Sequence, residues 1–168
     1  DNIINFLITL SNFLNQIFTM LFFALLSFVV FVELFPELFV SIFAPGFQAD
    51  ENKFLDATKF LTYVFPYILL ISLVAFLGAV QNSKKSFQVV AATPILFNLT
   101  LIVFACFSEE LSLGVIGTAV IVAGAIQLLL NLYYTSKLGY FPIFTKKYDT
   151  KVLNSFFSRF FPAILAAG

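Results

Sequence analysis

The sequence predicts an all-α fold, a polytopic bundle of transmembrane helices. Three observations carry that expectation. Of 168 residues, 61% are hydrophobic and 11% charged, against roughly 45–50% and about 25% in soluble domains. The apolar residues gather in four charge-free runs, each long enough to cross a hydrocarbon core of ~30 Å. The gaps between the runs alternate in charge. Seven of the nine basic residues lie in two regions, Lys84 with Lys85, and Lys137 with Lys146, Lys147, Lys151 and Arg159. The other gaps hold Glu33, Glu37, Asp50, Glu51 and Asp56 against Lys53 and Lys59, and then Glu109 and Glu110 with no base. Lys and Arg resist translocation. Loops 81–86 and 135–151 are therefore expected in the cytoplasm, with loops 33–59 and 108–112 on the opposite side.

The first span is expected over 3–32. At 1.5 Å per residue it would measure about 45 Å, longer than the core it crosses. Asn5, Thr9, Asn12, Gln16 and Thr19 recur at spacings of four and three, which places them on one helical face. That stripe either lines a water-filled cavity open toward the basic side, or protrudes and hydrogen-bonds a neighbouring helix. Between Glu33 and Lys59, Pro36, Pro45 and Gly46 act as breakers. The apolar segment 34–43 is too short to span and is expected at the outer interface. Asp50 is placed to cap the helix that follows.

The second span is expected over 60–80. Pro66, lacking an N–H, should kink it or end a short preceding helix. The third, over 87–107, contains Pro94, which frees the carbonyl four residues earlier; a polar group or water must satisfy it in a membrane. Asn98 lies one turn on, on the same face, and is a candidate for a cavity wall or an interhelical contact. The fourth, over 111–134, carries Gly114 with Thr118 and Ala119 with Ala123, small-residue pairs that let another helix approach closely. Gln127 is its strongly polar residue at depth, with Asn131 a turn nearer the inner end. Tyr133 and Tyr134 suit an interface. A fifth helix is expected to begin over 152–168, interrupted at Pro162.

Composition also excludes chemistry. There is no His, so imidazole ligation and imidazole acid–base catalysis are ruled out within this chain. Cys106 is the single cysteine, and neither a disulfide framework nor a thiolate cluster can form. The acids sit in loops, with no nucleophile–base pair and no glycine-rich phosphate loop. No catalytic residue, metal or cofactor is therefore expected, and the chain is not read as an enzyme. A formal net charge of zero argues against a nucleic-acid partner. Kinked helices with uncharged polar faces fit a transporter. The start at Asp1 and the end at Gly168, inside a new apolar run, suggest an internal fragment of a longer chain, with membrane lipids and that chain's other helices as partners.

Several ordered strings add a resemblance. They are Ala44-Pro45-Gly46-Phe47, the stretch from Phe65-Pro66-Tyr67 to Leu73, Asn82-Ser83 before Phe87, Pro94 with Asn98, and Pro162-Ala163-Ile164-Leu165. In this order and spacing they resemble the MurJ/MviN family of bacterial lipid II flippases. The resemblance implies a two-lobed fold like that of the multidrug/oligosaccharidyl-lipid/polysaccharide exporters, with this chain forming the third to sixth helices of the first lobe. It implies a bacterial inner-membrane protein with loops 33–59 and 108–112 in the periplasm. The substrate implied is undecaprenyl-linked peptidoglycan precursor, moved by alternating access. By family position Pro66, Pro94 and Asn98 are expected to shape or line the central cavity. The family's cavity arginines fall outside this fragment. Two departures stand out: Lys84-Lys85-Ser86 where the family often has Gly and a base, and Phe161 where it often has Gly. Another sugar-lipid or drug exporter of the superfamily is an alternative. A non-transporting membrane scaffold subunit is another, and predicts a gene ending near this fragment.

Overall fold

The structure, a computed structural model, describes residues 2–150 and, beyond them, Leu153, Asn154, Ser158 and Pro162. Among the described residues up to 149, six α-helices follow one another: α1 Asn2–Leu34, α2 Pro36–Phe43, α3 Glu51–Val64, α4 Tyr67–Ser83, α5 Gln88–Phe107 and α6 Leu113–Lys137, with a short 3-10 turn at Pro45–Ala49. No strand occurs among the described residues. Among the described residues, four stretches are long and apolar enough to cross a membrane: Leu7–Leu34, Glu51–Ser83, Gln88–Phe107 and Leu113–Lys137. Of the fifth helix expected over 152–168, Leu153, Asn154, Ser158 and Pro162 are helical, and the other positions lie outside the described residues. The chain divides into two compact units, one of Asp1–Leu21 with Pro142–Gly168 and one of Phe22–Phe141.

Within the second unit, α6 packs against α3, α4 and α5. Contacts set the directions. Tyr63 lies against Gly117 and Tyr67 against Gly124, while Gln81 bonds to Thr135; α3 and α4 therefore run parallel to α6. Val90 meets Gly78 and Phe97 stacks near Tyr67 at 5.4 Å, so α5 runs antiparallel to α4. This up-and-down order is what three successive spans joined by short turns must produce.

Local chemistry accounts for the boundaries. The loop expected over 33–59 is largely helical. Pro36 sits in the first turn of α2, where its missing N–H costs nothing. Asp50 caps α3, its carboxylate accepting the Lys53 N–H at 3.2 Å, and Glu51 sits in the favourable first turn. The helix leading into the second span thus starts at Glu51, nine residues before the apolar run, because a good cap and good helix formers extend it into polar territory. Pro66 then separates α3 from α4. Phe65 and Pro66 keep right-handed helical dihedrals (φ −61°, ψ −36° and φ −58°, ψ −19°), so the break is local. Pro94 stays inside α5. Ser112 caps α6 through the Val115 N–H at 3.3 Å, and α6 continues three residues past the expected end, to Lys137.

Helices α4 and α6 end the same way at the same end of the unit. After α4, Ser86 N–H bonds the Gln81 carbonyl and Lys85 N–H the Asn82 carbonyl; after α6, Tyr140 N–H bonds Thr135 and Gly139 N–H bonds Ser136. Both are Schellman closures, which require a left-handed residue. Gly139 supplies one at φ 81°, whereas Lys85 occupies the other at φ 61°. The Lys84 ammonium donates to the Leu138 carbonyl, placing a cation at the C-terminus of α6.

The small residues of α6 divide unequally. Ala119 and Ala123 are buried. A Cβ added at Gly114 would meet the Tyr63 ring in ordinary contact at 3.8 Å. Thr118 is exposed, and its hydroxyl turns back onto the Gly114 carbonyl at 2.8 Å. The closest approach belongs instead to Gly117, where an added Cβ would stand 2.3 Å from the Tyr63 Cβ, and to Gly124, where it would meet the Tyr67 ring at 2.7 Å. The face is rotated by one residue from the expected pair, because Tyr63 and Tyr67, four apart on α3–α4, lie over positions seven apart on α6.

Two outcomes follow for the full-length protein. Gly117→Ala should destabilise it by about 1–3 kcal/mol through overpacking, while Thr118→Ala stays within about 0.5 kcal/mol; thermal unfolding in detergent compares them. Lys85→Gly should raise stability by about 1 kcal/mol by relieving left-handed strain, and a lower melting temperature than wild type would contradict the strain argument.

Candidate functional site

A buried polar seam runs through the second unit. Gln127, Asn131 and Thr135 lie four residues apart on one face of α6, and Gln81 faces them from the last turn of α4; none is more than 1% exposed. Thr93, also buried, faces them from α5. Unpaired amides in such surroundings cost several kcal/mol, and the five side chains bond one another and nearby backbone carbonyls. The Gln81 Nε2 donates to Asn131 Oδ1 at 2.9 Å and Thr135 Oγ1 at 3.0 Å. The Asn131 Nδ2 donates to the Gln127 carbonyl at 2.9 Å and to Thr93 Oγ1 at 3.4 Å. The Gln127 Nε2 donates to the Thr93 carbonyl at 2.8 Å, and the Tyr67 hydroxyl to Gln127 Oε1 at 3.4 Å. The Thr93 hydroxyl donates to the Val89 carbonyl at 2.9 Å.

The seam meets α5 at the peptide just before Pro94, the point where a proline loosens the helix. Gln127 thus bonds the carbonyl next to Pro94 from a neighbouring helix; the carbonyl that the proline frees, four residues earlier at Val90, is a different one. Gln81 Oε1 is the one seam atom left without a protein partner among the described residues. Beside the seam, a recess of about 310 Å³ between α4 and α5 is lined by Gly78, Asn82, Val90, Thr93 and Asn131 among others. At the end of the seam Tyr140 is buried, and burial pushes its phenol well above the ordinary value, so the ring stays neutral. The seam holds no ionisable acid or base. It fixes the register and rotation of three helices and offers no bond-making chemistry.

The first unit contains a second polar feature. Residues 143–149 are bound to α1 by their own backbone. Ile143 N–H donates to Asn15 Oδ1 at 3.0 Å, Thr145 N–H to Thr19 Oγ1 at 3.1 Å, and Asp149 N–H to Gln16 Oε1 at 2.9 Å. The Phe18 and Phe144 rings pack 5.4 Å apart. Next to these bonds lies a recess of about 420 Å³, lined by Thr9, Asn12, Phe13 and Gln16 of α1 and by Thr145, Lys147, Tyr148 and Asp149. The α1 stripe is divided by position. Gln16 and Thr19 anchor a neighbouring segment, while Thr9 and Asn12 are exposed in a polar recess.

The residues expected to shape a central cavity lie elsewhere. Pro94 and Asn98 are exposed on the surface of α5 and line neither recess. Pro66 is half-buried between α3 and α4. No group of His, Cys, Asp or Glu able to hold a metal ion occurs among the described residues.

Residues 9–168 match the family model described as lipid II flippase MurJ. The chain belongs to the MurJ family. A probable lipid II flippase MurJ of Buchnera aphidicola subsp. Acyrthosiphon pisum is 32% identical over 161 residues, covering 94% of this chain and 32% of the relative. One from Rickettsia prowazekii is 31% identical over 146 residues, 84% of this chain and 29% of the relative. The lipid II flippase MurJ of Burkholderia cenocepacia is 35% identical over 103 residues, 60% of this chain and 20% of the relative. The chain spans about a third or less of the length of these relatives.

For a MurJ segment, the seam is the feature that reading along the sequence misses. Gln127 and Asn131 stand out by polarity. Gln81 instead adjoins a basic turn, and Thr135 adjoins the inner end of a span, so each reads as a boundary residue. The available signal was spacing: 127, 131 and 135 repeat at four, and Gln81 falls within the last turn of a helix closed by Lys85.

Asn131→Ala should destabilise the full-length protein by about 1–2 kcal/mol, since membrane hydrogen bonds average roughly 0.6 kcal/mol and several are lost at once. The exposed Asn82→Ala should fall within about 0.5 kcal/mol. Equal losses for both, measured by unfolding in detergent, would remove the seam's structural role.

Proposed function

We propose that the whole protein moves a lipid-linked peptidoglycan precursor across the bacterial inner membrane by alternating access, and that it does so without making or breaking a covalent bond. The observation that carries this reading is the match of nearly the whole chain to the MurJ family. The physics agrees. A disaccharide–pentapeptide pyrophosphate cannot cross hydrocarbon unaided, because burying its polar and charged groups is prohibitively costly. A polar path beside an open lateral edge lets the headgroup pass while the lipid tail stays in the bilayer.

In this reading α4, α5 and α6 form a block that moves as one piece, locked by the seam and by the close approach at Gly117 and Gly124. Side chains not engaged in the lock are free to face substrate. Pro94 and Asn98, exposed on α5, are proposed to shape or line the central cavity, with Pro66 setting the angle between α3 and α4. The small faces at Gly114 with Thr118 are proposed to receive helices of the remaining chain. Loops 81–86 and 135–151, with Lys84, Lys85 and Lys137, lie in the cytoplasm; loops 33–59 and 108–112 lie in the periplasm. Single cysteines at positions 48 and 148, probed with a membrane-impermeant thiol reagent in a Cys106→Ala background, would report that orientation. Labelling of position 148 in intact cells would reverse it.

Depleting the full-length protein should leave lipid-linked peptidoglycan precursor on the inner leaflet, and restoring the gene should return it to the outer one. Accumulation of a different sugar lipid would instead favour another exporter of the superfamily. Pro94→Ala and Asn98→Leu should each lower outer-leaflet appearance of the precursor several-fold at normal protein level. Unchanged flipping in both variants would remove these residues from the cavity.

A further inference from the structure

An aromatic groove of about 850 Å³ opens in the second unit at the end carrying α2 and the 3-10 turn. Its walls come from Phe28 of α1, Phe39 and Phe43 of α2, Phe47 of the turn, Phe60 of α3, and Phe65 between α3 and α4. The rings brace one another: Phe28 to Phe65 at 5.5 Å, Phe39 to Phe65 at 6.4 Å, and Phe39 to Phe43 at 6.3 Å. Two charged residues line it, Lys53 and Asp56, one turn apart on α3. They sit at one end, and the groove continues along α3 past Phe60 to Ile68 on α4. We propose that this groove is a binding site for a single zwitterionic, amine-bearing phospholipid, with an acyl chain among the phenylalanines, the phosphate at Lys53 and the ammonium at Asp56.

Length, width and polarity point to that occupant. From Lys53 to Ile68 the helical rise is on the order of 22 Å, about half the 40–45 Å of a bilayer with its headgroup regions. The groove is therefore one leaflet deep. Its volume spread over that length gives a mean section of about 40 Å², half that of a helix ~10 Å wide. The space suits thin chains and is too narrow to seat another helix fully. Its polarity runs in lipid order, charged at the membrane surface and apolar below. Lys53 also pairs with Asp50 at 3.2 Å, the lysine side chain being 69% and the aspartate side chain 42% exposed, and such solvent-screened pairs contribute little. Lys53 can therefore exchange that carboxylate for a phosphate. A lone cation would suit any acidic lipid; the carboxylate beside it selects a headgroup that also carries a positive charge. The site stands on the membrane-spanning character of the helices and does not depend on which lipid the protein flips.

The test uses the full-length protein in nanodiscs containing phosphatidylethanolamine with a photoactivatable diazirine in one acyl chain. After irradiation, peptide mapping should find label on the 39–47 and 60–68 segments. Excess unlabelled phosphatidylethanolamine should compete at least fivefold better than phosphatidylglycerol. Ala57→Trp, which fills the groove wall, should cut labelling about tenfold. Asp56→Asn should keep the label and abolish the headgroup preference, which keeps the proposal testable if the filled variant does not fold. Absence of label from these segments, or cross-links showing them covered by the protein's own remaining helices, would overturn the site. Labelling that is indifferent to headgroup, with Asp56→Asn behaving as wild type, would overturn the assignment of the ligand.

Discussion

A side-chain amide buried in hydrocarbon has no water to fall back on, and the arrangement of α4, α5 and α6 follows from that constraint. Gln81, Gln127 and Asn131 each carry two donors and at least one strong acceptor. Only one relative rotation of the three helices brings those groups to partners at 2.8–3.4 Å. Apolar contacts tolerate sliding, because a leucine packs almost as well a fraction of a turn away. A donor facing no acceptor does not. The seam therefore supplies specificity out of proportion to the modest energy of each bond.

Close packing and the seam act on different coordinates. Gly117 and Gly124 let the rings of Tyr63 and Tyr67 sit directly against the α6 backbone, which fixes how near α3–α4 comes. The seam fixes how far each helix is turned. Tyr67 joins the two, since its ring meets Gly124 and its hydroxyl meets Gln127. The paired closures after α4 and α6 add a third restraint. Gln81 and Thr135 are the residues whose carbonyls those closures bind, and their side chains bond each other. Helix ends and seam are thus one structure, and Lys84 on the Leu138 carbonyl continues it outward.

The sequence made the helices legible because hydrocarbon imposes length and charge-free composition directly on the residues. Asp50 as a cap was legible for the same local reason. What lay beyond reach was decided by neighbours. Gly114, Gly117 and Thr118 differ little as letters; Tyr63 on another helix chooses Gly117. Gln81 looks like part of a basic turn until Asn131 and Thr135 are seen opposite it. The α1 stripe was visible as a face, but its use depends on residues more than a hundred positions later, whose N–H groups take Asn15, Gln16 and Thr19 as acceptors.

Those cases share a cause that bears on how such a protein works. The uncharged polar residues of this segment fall into two populations. Gln16, Thr19, Gln81, Thr93, Gln127, Asn131 and Thr135 are buried and bonded within their own unit. Thr9, Asn12 and Asn98 are exposed on helices otherwise suited to lipid. In a membrane an exposed polar side chain persists at little cost only where it meets water, substrate or another polar helix. The first population makes each unit stiff, and the second marks the surfaces across which something polar must lie. Stiff blocks with polar outer faces suit the alternating-access movement proposed for the whole protein, since a block that flexed would dissipate the movement and an apolar face would have nothing to offer a headgroup.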